Sequence, residues 1–554
     1  MDTSSTKSRA GKEQKKARSK AKGQQAAGAP HLDQPGAAAV SKRAWLIGSI
    51  SVMLVAACLR LYDLNLVPLH HDEGVNGNFL LTLFRQHIYR YDPSNYHGPT
   101  LYYFALAISY LLGLNTFAIR LVTVLFGLAT IWLVLLLRRH IGAVGSLTAA
   151  ALLAVSPGAV YLSRYFIHET LFVFFTLGIA YAALRYYEAA HPVYLWLASA
   201  SAALLFATKE TAIISAGVFL IALAVMTVYV RLRERLRGET GKKGRGVYSG
   251  KSWQGGAAID EGARGLERFG GPISVLTHTL VALLIFIVVS VLFYSSFFTN
   301  YPKGVQDALS TFKFWSRTGK EAHVHEWYTY LGWLWQEEAP LLALGALGAL
   351  CVVWRGRNRL ALFIALWAFG LLAAYSLVPY KTPWLTLNFI VPLAIIGGYG
   401  VDVVYRAGDD VMQRLPALLL ALAAIIICSY QSIRLNFIYY DDDHYPYVYA
   451  HTRREMLGLV DEVNRLAQRA GSGQQTGITI ISPDYWPLPW YFRDYKRVGY
   501  FGRMVETGEP IIIGNEGQDA QMQASLANRY RRVGAYDLRP GVTLVLYARS
   551  DLSQ

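Results

Sequence analysis

The chain has 554 residues, of which 53% are hydrophobic and only 16% are charged. A soluble globular protein carries about a quarter charged residues, so the composition excludes that class and points to an integral membrane protein. The net charge of +16 would indicate nucleic acid in a soluble chain, but its excess sits mainly in the N-terminal tail and Arg231–Arg268, which read as cytoplasmic anchors with no nucleic-acid partner.

Residues 1–43 are rich in Lys, Arg, Ala, Gln and Gly without apolar periodicity, and read as a disordered basic cytoplasmic tail. Ala44–Leu61 is the first span. Its Leu54–Cys58 looks like a lipoprotein cleavage box, but the basic region before it is too long for a signal peptide. Residues 63–116 form a first outer loop with interfacial helices. Thr100–Leu114 is shorter than the roughly 20 residues a span needs. Counting it as one would also put Arg138 and Arg139 outside, against the positive-inside tendency.

Spans follow at Phe117–Leu137, Ala143–Leu162, Thr170–Tyr187, Tyr194–Ala207 and Thr211–Val230. A basic, Gly-rich cytoplasmic linker over 231–272 divides them from Ile273–Phe297. An aromatic outer loop over 298–338 leads to Pro340–Trp354, Leu360–Val378, Leu385–Val404 and Pro416–Ile433. That makes about eleven spans over 44–434 at the usual span length, with a cytoplasmic N-terminus and an external C-terminus, in a multi-pass protein of the cell (plasma) membrane.

Residues 435–554 turn soluble in composition. Arg453–Ala470 and Ala520–Tyr530 have helical patterns, and Ile478–Ile481, Pro510–Ile513 and Val542–Tyr547 read as strands, so a small extramembrane α/β domain is expected. No Gly-rich strand–turn–helix phosphate loop is present. Cys58, Cys351 and Cys428 lie in apolar runs, with neither a disulfide framework nor metal-ligand spacing.

The chemistry is expected at one side of the membrane. His71-Asp72-Glu73, His97, Arg164, Glu169, Lys209, Lys381 and the His323–Glu326 stretch all fall in outer loops, whereas the cytoplasmic turns hold basic anchors. A structural alternative makes Asp72 the N-cap of a helix over Gly74–Arg85. Carboxylates with separate cations suit group transfer from a phosphate ester: an acid takes the acceptor's proton and a cation offsets charge on the leaving phosphate. With no nucleotide-binding domain, the donor would be carried on a lipid. A transporter could use the same charges.

Four motifs in order carry a resemblance. His71-Asp72-Glu73, His97-Gly98-Pro99-Thr100-Leu101-Tyr102-Tyr103 and Phe117-Ala118-Ile119-Arg120 resemble the start of the GT-C glycosyltransferases, in the branch of protein O-mannosyltransferases and lipid A aminoarabinose transferases. Ser163-Arg164-Tyr165 with Glu169 is similar to that family's second outer loop. Ala207-Thr208-Lys209-Glu210 and Tyr380-Lys381-Thr382-Pro383-Trp384 are similar to a branch described as mannosyltransferase-like or flippase-associated.

The resemblance covers roughly residues 44–400 and implies a GT-C-like polytopic α-helical membrane protein. Its activity would be inverting transfer of a sugar from a polyprenyl-phosphate donor to a hydroxyl acceptor, which could be a glycan, lipid or protein. It makes Asp72 the base, with Glu73 the weaker alternative and Glu169 assisting or binding acceptor. Arg164, Lys209 and Lys381 are phosphate candidates, and His71, His97 and Trp384 complete the substrate-binding set. His323, His325 and Glu326 have spacing that would allow a divalent metal, although an ordinary outer-loop cluster is the preferred reading. The alternative function is a transporter, or a flippase-associated component, for lipid-linked glycans. Transporters place ionisable groups near the midplane and often show internal repeats; this chain shows neither.

Overall fold

The computed structural model describes residues 40–95, 97–242, 267–315, 323–355, 358–526 and 528–552. The expected basic tail lies outside the described residues up to position 39, as does the middle of the expected linker, from 243 to 266.

The first half of the chain forms α1 (Lys42–Leu61), α2 (His71–Gln86), α3 (Thr100–Leu112), α4 (Thr116–Leu136), α5 (Arg138–Ile141), α6 (Ala143–Val155), α7 (Pro157–Ser163), α8 (Glu169–Ala189), α9 (Pro192–Phe206) and α10 (Ala212–Lys242). Then come α11 (Gly271–Tyr294), α12 (Lys303–Trp315), α13 (Thr329–Arg355), α14 (Arg359–Leu377), α15 (Leu387–Ala407) and α16 (Val411–Ile433). Among the described residues, nine helices are long and apolar enough to cross a membrane, and α6 with α7 makes a tenth if the bent pair is one span. The eleventh expected span is α9, whose 15 residues reach only about 22 Å.

The bend in the α6–α7 span has a local cause. Ser156 ends α6, and Pro157, which cannot donate into the preceding turn, starts α7 at a bend of 60°. The freed groups are satisfied: Ser156 Oγ accepts from Ala159 N at 3.1 Å, and Glu338 Oε1 accepts from Ser156 Oγ and Gly158 N, both at 2.7 Å. Helix α3 has 13 residues, about 20 Å, against a hydrocarbon core of about 30 Å. The expected linker begins as helix, since α10 runs on to Lys242.

Helix α15 is the centre of the bundle, buried from Leu387 to Val403. Small residues let its neighbours approach. A Cβ on Gly348 of α13 would lie 2.0 Å from Ile396 O, and one on Gly398 would lie 2.3 Å from Gly145 O of α6. Contacts sort the turns into two ends. At one, His140 pairs with Glu188, Asn358 donates to His140 O, and Arg233 donates to Trp354 O. The other end gathers the turns around α2.

The C-terminal region forms α17 (Glu455–Arg469), β1 (Gly477–Ile480), α18 (Leu488–Tyr491), β2 (Arg497–Tyr500), β3 (Ile511–Asn515), α19 (Asp519–Leu526), β4 (Tyr530–Arg539) and β5 (Val542–Arg549). One sheet has the order β2-β1-β3-β5-β4, with β1 parallel to both β2 and β3, and β5 antiparallel to β3 and β4. Met456, Leu459 and Val463 of α17 cover one face and Met522 and Leu526 of α19 the other.

The expected α/β architecture is present, but β2 and β4 are additional to the three strands read from sequence. Both are edge strands with polar residues along them, which hides them from a search for apolar runs. The helix expected over Ala520–Tyr530 ends at Leu526, and Tyr530 opens β4.

Candidate active site

The N-terminus of α2 defines the site. The helix begins at His71, with His70 as its cap, so Asp72 lies in the first turn and is not the N-cap. His70 Nδ1 accepts from Asp72 N at 3.1 Å, while the Glu73 side chain accepts from His70 N at 3.0 Å. This is a capping box with histidine in the usual Ser/Thr place. Because Nδ1 accepts, the imidazole proton sits on Nε2, which reaches Tyr449 O at 3.1 Å. Burial, the largest influence, pushes His70 below its ordinary range and keeps this neutral tautomer.

At about 100° per residue, adjacent acids on a helix point to different surroundings, and here the two diverge. Glu73 is fully buried. Its Oε1 accepts from Arg120 Nε and Phe166 N, each at 2.8 Å, and its Oε2 accepts from Arg120 Nη2 at 2.6 Å as well as from His70 N. Arg120 in turn donates to Leu64 O, Val67 O and Pro68 O, which fixes the chain leading into α2. The Asp72 side chain is 38% exposed, and its carboxylate lies 4.0 Å from Nδ1 of the neutral His70. Among the described residues, no donor lies within hydrogen-bond distance of its carboxylate.

A second, buried cluster forms where two sequence motifs meet. Lys209 Nζ donates to Glu169 Oε1 at 2.5 Å, with both side chains nearly inaccessible. His97 pairs with Lys209 as a backbone bridge; its Nδ1 lies 3.6 Å from Glu210 Oε2, and its ring is 4.8 Å from that of His168. Gly98 N donates to Thr208 O and Thr100 N to Ala207 O. A Cβ on Gly98 would fall 2.1 Å from Ala207 O, so this approach requires glycine. The cluster is joined to α2 through Tyr102, whose ring lies 5.5 Å from that of His168 and whose Oη donates to Asn76 Oδ1 at 2.9 Å.

The other expected phosphate cations are engaged elsewhere. Arg164 spreads its guanidinium over Leu59 O, Arg60 O, Tyr62 O and Asp63 O at the end of α1. Lys381 is buried and donates to Val378 O at 2.6 Å and His325 O at 3.3 Å. Trp384 faces the site, with its ring 6.4 Å from that of His70.

His323, His325 and Glu326 do not converge. His323 Nδ1 is bonded to Tyr449 Oη at 2.9 Å and His325 meets Trp333 edge-on. Among the described residues, the one group of three ligand-type side chains within mutual reach is Asp442, Asp443 and His444, on an exposed turn. His323, His325 and Glu326, whose spacing would allow a metal, are not part of that group.

Sequence reasoning did not assign a role to Arg120, although an arginine near the start of an apolar 21-residue helix is a signal in itself. It also missed the C-terminal domain's place at the site. A Cβ on Gly74 would lie 2.6 Å from Pro487 Cβ, and one on Gly77 would lie 2.7 Å from the Trp490 ring. Tyr491 Oη accepts from Leu69 N at 2.9 Å, and Trp490 Nε1 donates to Thr116 Oγ1 at 3.2 Å.

Comparison with solved structures places this arrangement. The chain is similar to ArnT from Cupriavidus metallidurans in the apo state, with TM-score 0.61, 15% identity, and 92% of this chain and 99% of that one covered. It is similar to the same protein bound to undecaprenyl phosphate, with TM-score 0.59, 16% identity, and 93% and 100% covered. The chain has the GT-C glycosyltransferase fold. The Archaeoglobus fulgidus oligosaccharyltransferase in complex with Zn and sulfate is also similar, at TM-score 0.50 and 13% identity, with 87% of this chain and 69% of that one covered. Residues 96–237 match the family model described as dolichyl-phosphate-mannose-protein mannosyltransferase. None of the curated proteins matches the chain. Within the GT-C fold, the matched segment holds His97, Arg120, Arg164, Glu169 and Lys209, and both structural clusters draw on it.

Proposed function

We propose that the chain transfers a sugar from a polyprenyl-phosphate donor to a hydroxyl acceptor at the outer face of the cell membrane, with inversion. The observation that carries this reading is the division between the two acids of α2. Glu73 has its oxygens filled by four donors, whereas Asp72 presents an open, partly exposed carboxylate. Asp72 is the base, and Glu73 is the brace that holds α2 and Arg120 in place.

The reaction is one displacement. The acceptor oxygen attacks the anomeric carbon opposite the phosphate and gives its proton to Asp72. The bond from that carbon to the phosphate oxygen breaks, and its electron pair leaves with polyprenyl phosphate. A single base and no covalent intermediate give inversion, as in other inverting sugar chemistry. The leaving phosphate gains negative charge, which a fixed cation stabilises. Lys209 uses one of its three N–H donors on Glu169, and with His97 beside it this is the phosphate-facing pair. Arg164 and Lys381, which donate to backbone carbonyls, are taken in this reading as backbone support. The C. metallidurans protein bound to undecaprenyl phosphate supports the donor class, and the mannosyltransferase family model supports the transfer class.

The test uses purified protein in lipid vesicles with dolichyl-phosphate mannose or undecaprenyl-phosphate hexoses and a cell extract. Free polyprenyl phosphate should appear without any membrane gradient. Movement of labelled lipid between leaflets with no sugar release would contradict the proposal and favour a transporter.

A further inference from the structure

The loop after β1 brings three side chains to the exposed side of α2. Asp484, Tyr485 and Trp486 precede Pro487, which abuts Gly74 of α2. The Trp486 ring lies 6.1 Å from that of His71, the residue before Asp72. Trp486 continues into an aromatic row, with Tyr485 at 5.5 Å and Tyr500 a further 5.1 Å on. Arg539, at the end of β4, donates Nη2 to Asp484 Oδ1. Of the pair, Asp484 keeps 39% of its side chain exposed and Arg539 keeps 16%.

The position follows a general rule of open sheets. Strand β1 has parallel neighbours on both sides, and the chain leaves it first for β2 and then for β3. Ligands of such sheets bind outside the carboxyl ends of the strands, where the order reverses. Here that crevice is the loop carrying Asp484 and Trp486, and the helix that meets it carries the open carboxylate of Asp72.

We infer that Asp484, Trp486 and Arg539 form the acceptor subsite, and that the acceptor is a neutral carbohydrate presenting a hydroxyl to Asp72. This rests on the transferase reading of Asp72. An indole has a negative face that attracts the C–H face of a pyranose, and a carboxylate beside a guanidinium offers acceptors and donors to neighbouring hydroxyls. Arg539 uses one of its five N–H donors on Asp484, so others are available to a ligand. The charge balance selects against anionic acceptors. Among the described charged groups that act on His71, two carboxylates, Asp72 and Asp484, stand against one side-chain cation, Arg539, and burial, the largest influence, holds His71 below its ordinary range and therefore neutral. A phosphorylated acceptor would meet net negative charge there.

The test measures polyprenyl phosphate released from undecaprenyl-phosphate or dolichyl-phosphate hexoses, alone and with a panel of short neutral hexose oligosaccharides or a Ser/Thr-rich peptide. Oligosaccharide should stimulate release by the wild-type protein, and peptide should not. Trp486→Leu and Asp484→Asn should each raise the oligosaccharide concentration for half-stimulation at least tenfold. Both should leave the melting temperature unchanged. Trp486→Phe should retain most of the wild-type response, since it keeps the aromatic face. A merely structural Trp486 would be served equally by Leu and Phe. Stimulation by peptide alone, none by any oligosaccharide, or an unchanged half-stimulation in Trp486→Leu and Asp484→Asn would overturn the subsite. No release from any donor by the wild-type protein would overturn the transferase reading and the subsite with it.

Discussion

Two neighbouring residues of one type hold opposite positions in this chain, and their partners decide which does what. Removing one member of a buried ion pair leaves an uncompensated charge, at a cost of about 3–5 kcal/mol. Glu73→Gln does this to Arg120, so a large loss of thermal stability in detergent is expected, with activity falling in proportion to the folded fraction. Loss of turnover at unchanged stability would instead move the base to Glu73. The histidines give a pH dependence. Burial holds His70, His168 and His451 below the ordinary imidazole value, so the unfolded chain takes up their protons first. Their contribution is complete above an unfolded pKa of about 6.5 and is lost as pH falls below it. The melting temperature should drop between pH 7 and 5. His70→Asn, which also caps helices well, should show a smaller drop, as followed by a pH series of thermal melts. The sequence singled out the acid pair and the cations. It could not separate Asp72 from Glu73, or show Arg164 and Lys381 bonded to carbonyls, because backbone partners leave no mark on residue identity.

At the scale of elements, the motifs work as contacts between turns. His97-Gly98-Pro99-Thr100 and Ala207-Thr208-Lys209 lie far apart in the chain and bond to each other through Gly98 and Thr100. Gly98→Ala would place a Cβ 2.1 Å from Ala207 O and force the two turns apart, and the Lys209–Glu169 pair beside them should shift. Impaired turnover with a raised apparent donor KM is expected from steady-state kinetics, and wild-type kinetics would show the approach to be dispensable. Apolar length made the long spans legible. The bend at Pro157 and the shortness of α9 depend on how the freed backbone groups are satisfied, which length does not report. β2 and β4 escaped because edge strands need an apolar pattern only where they meet the core.

At the scale of the whole molecule, one end of the bundle carries both clusters and the docked α/β domain, and the other carries Arg138, Arg233 and their neighbours. Lys/Arg bias sets orientation, so reporter fusions after Arg139 and at the C-terminus should read cytoplasmic and external respectively. A cytoplasmic reading at the C-terminus would remove the shared outer site. The domain's presence was legible from composition, whereas its seat on α2 was not, since Gly74 and Gly77 show their need for close approach only once Pro487 and Trp490 are in place. The central claim is that Asp72 takes the acceptor's proton, and the most direct measurement is polyprenyl phosphate release by Asp72→Asn. The substitution keeps size and removes basicity, and a first-turn charge is worth only about 0.3–1 kcal/mol of stability. The expected result is a loss of about a hundredfold or more in a protein that melts and binds donor nearly as the wild type does; near-normal release by Asp72→Asn would contradict the account.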